Sequence, residues 1–240
     1  MTTESASRER ANEKMMGAAS IVAGTLIGAG LVIHPVWTSD AAGQIAIVSA
    51  DPGRWFLTHG LLIAGLGCFI PALLLMMRRL AATNPRWARV AGVSAFVGLV
   101  SAVAFVTVDG IVLWSLGKPG LDPGTTHLVF DELTKGAQPS IVFLPSILLN
   151  LGVLALAIGL FRSAAIPRWA AASLAAGMIV QAVFGLAYVQ AGAAGAGVLL
   201  GVGFIGVGLD GLRSGRRPSD EVGTARAPLD PQVAHAGGMF

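Results

Sequence analysis

Charge is what this sequence has least of. Asp, Glu, Lys and Arg make up 12% of its 240 residues, where a soluble domain carries about 25%. That is too little to cover a water-facing surface, and the mean hydropathy is +0.73. Cysteine is nearly absent. Cys68 stands alone in an apolar run, which excludes an intrachain disulfide and a cysteine-based metal motif. The common catalytic signatures are missing: there is no Walker motif, no G-x-S-x-G, no HExxH and no CxxC. No lysine falls inside a long apolar run, so a retinal Schiff base is excluded. No basic and aromatic patch marks a nucleic-acid surface, and no nucleic-acid partner is expected. Gly201-Val-Gly203-Phe-Ile-Gly206 fits the dinucleotide spacing, but it sits inside an apolar run with no strand before it, where that motif has no meaning.

What is present is a series of apolar runs. Runs of about 18 or more residues without charge read as membrane helices. Six occur, at about 15–36, 55–77, 90–116, 139–161, 168–189 and 194–212, within a domain of 14–212. The polar ends, 1–13 and 213–240, read as disordered tails. The first run is too long for a signal's core and has no small-residue cleavage site after it, so it is expected to remain as an anchor. Thirteen Lys and Arg fall on one side of the runs, and only Arg54, Lys118 and Lys135 on the other. That asymmetry predicts cytoplasmic termini. The expected fold is therefore all-α, a six-transmembrane-helix bundle with both termini cytoplasmic and the lipid bilayer as its surroundings.

A tetrapeptide recurs. Pro85-Arg86-Trp87-Ala88 returns as Pro167-Arg168-Trp169-Ala170, each copy opening a run rich in small residues. Hairpin 2/3 thus resembles hairpin 4/5 in the same orientation, as in transporters with parallel repeats. Convergence explains it equally well, because Pro suits a first helical turn and Arg and Trp suit the interface. The stretch Gly159-Leu160-Phe161-Arg162-Ser163 to Ile166-Pro167-Arg168-Trp169 resembles a feature of uncharacterised six-span bacterial membrane proteins grouped as a domain of unknown function. Arg54-Trp55-Phe56 and Arg89-Val90-Ala91-Gly92 fit the same likeness. It implies six helices, a bacterial cytoplasmic membrane and no assigned activity, and it carries over no functional residue. The Ala, Gly and Val richness suits a high-GC bacterium.

Depth can be counted from the basic residues. Lys14 to His34, His59 to Arg78, Arg89 to Asp109 and Arg168 to Tyr188 are each 19 or 20 residues. At 1.5 Å per residue, each is about 30 Å, the thickness of the hydrocarbon. His34, His59, Asp109 and Tyr188 are thus expected at one depth near the outer face, where they form the candidate ligand site. Asp109 needs a partner if span 3 tilts, and His59 or His34 can supply it. Three chemistries fit: a polar-ligand or proton site, a metal or haem held by His34 and His59, or plain solvation at the margin. No cofactor is favoured.

Asn150 and Gln181 share a second depth and are expected to hydrogen-bond across hairpin 4/5 as structural glue. Asp210 is expected to pair with Arg213. The small-residue patterns Gly24-xxx-Gly28 and Gly197-xxx-Gly201 read as packing within the bundle, with a homo-oligomer or membrane-complex contact as the alternative. Functionally, three readings follow: a binding or transport protein with an outer pocket, an accessory membrane subunit, or a His-ligated redox protein. An intramembrane enzyme comes last, since no nucleophile–base pair is visible.

Overall fold

The computed structural model describes residues 3–38, 40–118, 120–135, 144–186 and 189–214. Eight helices follow one another: α1 (Thr3–Ile33), α2 (Ala41–Ala50), α3 (Pro52–Ala81), α4 (Pro85–Leu116), α5 (Pro123–Lys135), α6 (Leu144–Ser163), α7 (Arg168–Leu186) and α8 (Gln190–Ser214). There is no strand among the described residues. Four helices, α1, α3, α4 and α8, are long and apolar enough to cross a membrane.

The helix starts are written locally. Asp51-Pro52, Asn84-Pro85 and Asp122-Pro123 each open a helix. The Asx side chain accepts the backbone N–H three residues on, at 2.9 Å for Asp51, 3.1 Å for Asn84 and 2.8 Å for Asp122. Proline follows at the first helical position, where its missing N–H costs nothing.

Six helices pack as a closed ring in the order α1, α3, α4, α6, α7, α8, with α1 returning to α8. The closest approaches are made by glycine. A Cβ at Gly24 would lie 2.8 Å from the Gly201 carbonyl oxygen, and one at Gly28 would lie 3.0 Å from that of Gly197. Gly17 and Gly208 meet the same way farther down. These contacts and the Ser20 hydroxyl, which donates to the Phe204 carbonyl (2.8 Å), bring α1 and α8 together backbone to backbone, as small residues allow between membrane helices. On the other side, Gly98 meets the backbone of Leu149 and Gly152 meets that of Ala95. The two glycine stripes of α1 and α8 are therefore spent inside the bundle.

Within the ring lies the main core. Phe69 packs edge-on to Phe204 at 5.0 Å, and Leu73, Leu75, Met76 and Leu80 are fully buried beside them. A smaller cluster covers one end of the bundle, where Trp55, Leu113, Leu116, Val48 and Phe130 bring α2 and α5 over α3 and α4.

Several expectations need correction. Residues 3–13 are helical and continuous with α1, and two of them pair with α3: Glu9 with Arg78 (2.7 Å) and Glu13 with Arg79 (3.5 Å). Arg79 also reaches Asp210 (3.3 Å), which gives Asp210 a partner on α3. The two long loops contain α2 and α5, and span 3 begins at Pro85. The Asn150–Gln181 bond does not form: Gln181 Oε1 is buried without a partner. The cause is packing, since α6 leans on α4 through Gly152 and α7 leans on α8 through Gly177 and the Ser173 hydroxyl, which donates to Leu199. The tail beyond residue 214 lies outside the described residues. The two repeated tryptophans do play similar parts. Trp87 lies against Gly159 of α6 and donates to the Ala155 carbonyl (2.8 Å), while Trp169 lies against Gly206 of α8.

Two outcomes are expected. Gly98→Ala forces α4 from α6 and destabilises by about 1–3 kcal/mol, whereas Gly60→Ala, with open space at its Cβ, gains up to about 1 kcal/mol of helix propensity. Unfolding in mixed micelles measures both. Asp122 accepts from the Thr125 N–H and hydroxyl, which hold its carboxyl below the usual carboxylate range. The stabilisation of the α5 start is thus complete above about pH 4 and lost as pH falls through the lowered native value. A fall in the protection factor of the Thr125 amide in acid, measured against its intrinsic exchange rate, is the readout.

Candidate functional site

The candidate residues gather at the end of the bundle opposite the arginine turns. His59 is one turn after Trp55 on α3 and faces α4. Gly110 permits this approach, because a Cβ there would lie 2.8 Å from that of His59. His59 Nε2 is 2.9 Å from Asp109 Oδ2, and both side chains are buried. His59 Nδ1 is 2.8 Å from the Trp55 carbonyl. The Trp55 indole N–H donates to the Gly110 carbonyl (3.2 Å).

These contacts determine the proton count. The Trp55 carbonyl can only accept, so His59 Nδ1 must carry hydrogen. One further proton then lies between Nε2 and Asp109. Placed on Nε2 it makes an imidazolium and a carboxylate; placed on Asp109 it makes an imidazole and a carboxylic acid. Both states have zero net charge, which is what a buried site tolerates.

His34 follows the last turn of α1 and meets the rings of His59 and Trp55 at steep angles, 59° and 66°. Its ring centroid is 5.2 Å from that of His59 and 5.5 Å from that of Trp55. His34 Nδ1 donates to the Pro35 carbonyl (2.7 Å), so in the neutral ring Nε2 keeps its lone pair. The Gln190 side-chain amide, at the start of α8, donates to the His34 carbonyl.

Beside His34 opens a cavity of about 520 Å3. Its polar lining is His34, Asp51, Arg54 and Gln190, and Val36, Ile47 and Ala50 form apolar walls. Arg54 Nε donates to the Ile33 carbonyl at the end of α1 (2.7 Å). His59 and Asp109 lie behind His34 and Trp55 and do not line the cavity.

The depth count thus placed His34, His59 and Asp109 together. Tyr188 lies outside the described residues. Of the second pair, Gln181 is unpaired, so Asn150 and Gln181 form no joint site. For the metal or haem reading, both ring nitrogens of His59 are engaged by Trp55 and Asp109, and His34 keeps one free lone pair. No group of three or more His, Cys, Asp or Glu with metal-holding geometry occurs among the described residues. Sequence reasoning missed Asp51, Arg54 and Gln190. The signal for Asp51 and Arg54 was there, in the Asx-Pro helix start and in one of the few basic residues away from the arginine turns. For Gln190 there was none. No family model, curated protein or solved structure matches the chain.

Removing one member of the His59–Asp109 pair strands the other. Asp109→Leu and His59→Leu are each expected to destabilise by about 3 kcal/mol, and Asp109→Asn, which keeps a hydrogen bond to His59, by about 1 kcal/mol. The double leucine variant should lose clearly less than the two singles combined. Equilibrium unfolding of the four variants in mixed micelles completes the cycle; strict additivity would show that the pair is not coupled.

Proposed function

We propose that this chain is a six-span protein of a bacterial cytoplasmic membrane that binds a small polar ligand in the cavity at its outer end. The observation that carries the reading is the buried His59–Asp109 pair, 2.9 Å apart, directly behind a histidine that lines an open cavity. An ionisable pair inside an apolar bundle is a functional site by default. Six spans are supported by the closed six-helix ring and by the lengths of α6 and α7, 20 and 19 residues, each about 30 Å. Orientation rests on the thirteen basic residues on one side against three on the other. Membership in the uncharacterised six-span family stays a proposal on the motifs quoted above.

The pair gives the site a response as well as a place. Moving its proton between Asp109 and His59 shifts charge without changing the total. A charged ligand beside His34 would favour one arrangement over the other. Beneath the pair the ring is filled by Phe69, Leu73, Met76 and Phe204, which supports binding at the outer end over passage through the bundle. The accessory-subunit reading has less support, because the glycine faces that would have marked a partner surface are occupied by α1 and α8 themselves.

Cysteine labelling in intact cells tests both halves. In a Cys68→Ser background, Ala50→Cys lines the cavity and is expected to react with a membrane-impermeant thiol reagent from outside. Ala82→Cys, at the arginine end, should react only after permeabilisation. The reverse pattern overturns the orientation, and the cavity reading falls if Ala50→Cys and a second lining variant, Val36→Cys, are both inert.

A further inference from the structure

We propose that the cavity selects a small zwitterion, with an anionic oxygen group on Arg54, an ammonium group on Asp51 and an apolar body along Val36, Ile47 and Ala50. This rests on the binding reading above and names its ligand class. Asp51 and Arg54 are three residues apart at the start of α3, so they stand on one side of the helix. Both are exposed and both line the cavity. Opposite charges at this spacing normally pair, yet no ion pair joins them. Each is held by another bond. Arg54 Nε donates to the Ile33 carbonyl (2.7 Å), and Asp51 Oδ1 accepts the Arg54 backbone N–H (2.9 Å). The guanidinium therefore keeps its terminal N–H groups, and the carboxylate keeps its second oxygen, for something else.

A ligand with one charge satisfies one of these groups and is repelled by the other. A ligand with both charges close together satisfies both, so discrimination comes from repulsion as much as attraction. The rest of the lining agrees. It is mostly apolar, which suits a body with little polarity, and His34 adds one nitrogen that can accept. Two sources carry this chemistry: a free solute of the amino-acid type, and the phosphoethanolamine headgroup of a bilayer lipid.

The test uses the full chain with Cys68→Ser and Ala50→Cys, and Val36→Cys as a second reporter should the first fold poorly. Labelling rates are measured in detergent with leucine, N-acetylleucine and leucinamide, then in phosphatidylglycerol and phosphatidylethanolamine nanodiscs. The expected result is that saturating leucine slows labelling about tenfold, as an occupancy of about 90% requires, while the two singly charged analogues do not. Arg54→Gln and Asp51→Asn should each abolish the protection; Asn still caps α3. Slow labelling in phosphatidylethanolamine alone, sensitive to the same two substitutions, supports the zwitterion and identifies lipid as its source. Equal protection by N-acetylleucine or leucinamide overturns it in favour of a singly charged ligand. Rapid labelling that neither leucine nor phosphatidylethanolamine changes also overturns it, while leaving the cavity intact. Only a failure of both reporters to label at all would remove the cavity reading itself.

Discussion

The cavity at the candidate site depends on α1 lying backbone to backbone against α8 at three glycine pairs. Gly17, Gly24 and Gly28 face Gly208, Gly201 and Gly197 in antiparallel register. In lipid, helices gain nothing from hiding apolar surface from one another. Close backbone contact and the dispersion it allows supply the attraction. This contact joins the first helix to the last and closes the ring. Closure carries Gln190, the first residue of α8, to the His34 carbonyl at the end of α1. Without it the cavity would lose one wall, and His34 the contact that holds its backbone.

The second constraint is electrostatic. Asp109 lies near the end of a helix whose surroundings are apolar, so its charge must be neutralised or shared. His59 does this at 2.9 Å, and the Trp55 carbonyl fixes which protons are present. The pair is neutral in total yet polarisable. It sits behind two rings, His34 and Trp55, which separate it from the cavity. Close packing below and an open, mostly apolar cavity with a few charged side chains above make this end of the bundle the place where a ligand's charge would be felt.

Much of this was legible along the chain. The Asx-Pro pairs that open α3, α4 and α5 are local signals, yet apolar length alone started span 3 at Val90 instead of Pro85 and left α5 inside a loop. Counting from the arginines put His34, His59 and Asp109 at one level, because a helix converts residue number into height at a fixed rate. Height says nothing about azimuth, and there the reading failed. Asn150 and Gln181 share a level on sequential helices, yet α6 turned to α4 and α7 to α8, so the amides never met. Polarity also misled: residues 1–13 read as a disordered tail, but from Thr3 on they continue α1, and Glu9 and Glu13 pair with arginines of α3.

By itself the sequence determined a helical, membrane-compatible chain and the shared level of His34, His59 and Asp109. Those properties follow from hydrogen bonds, caps and apolar length within a few residues of one another. Only the tertiary structure decided which helices touch, that α1 meets α8, that His59 rather than His34 takes Asp109, and that Asp51 and Arg54 share a cavity unpaired. Those outcomes depend on how helix faces rotate to fit glycine against backbone across the ring, a choice made by all the contacts together and written in no single segment.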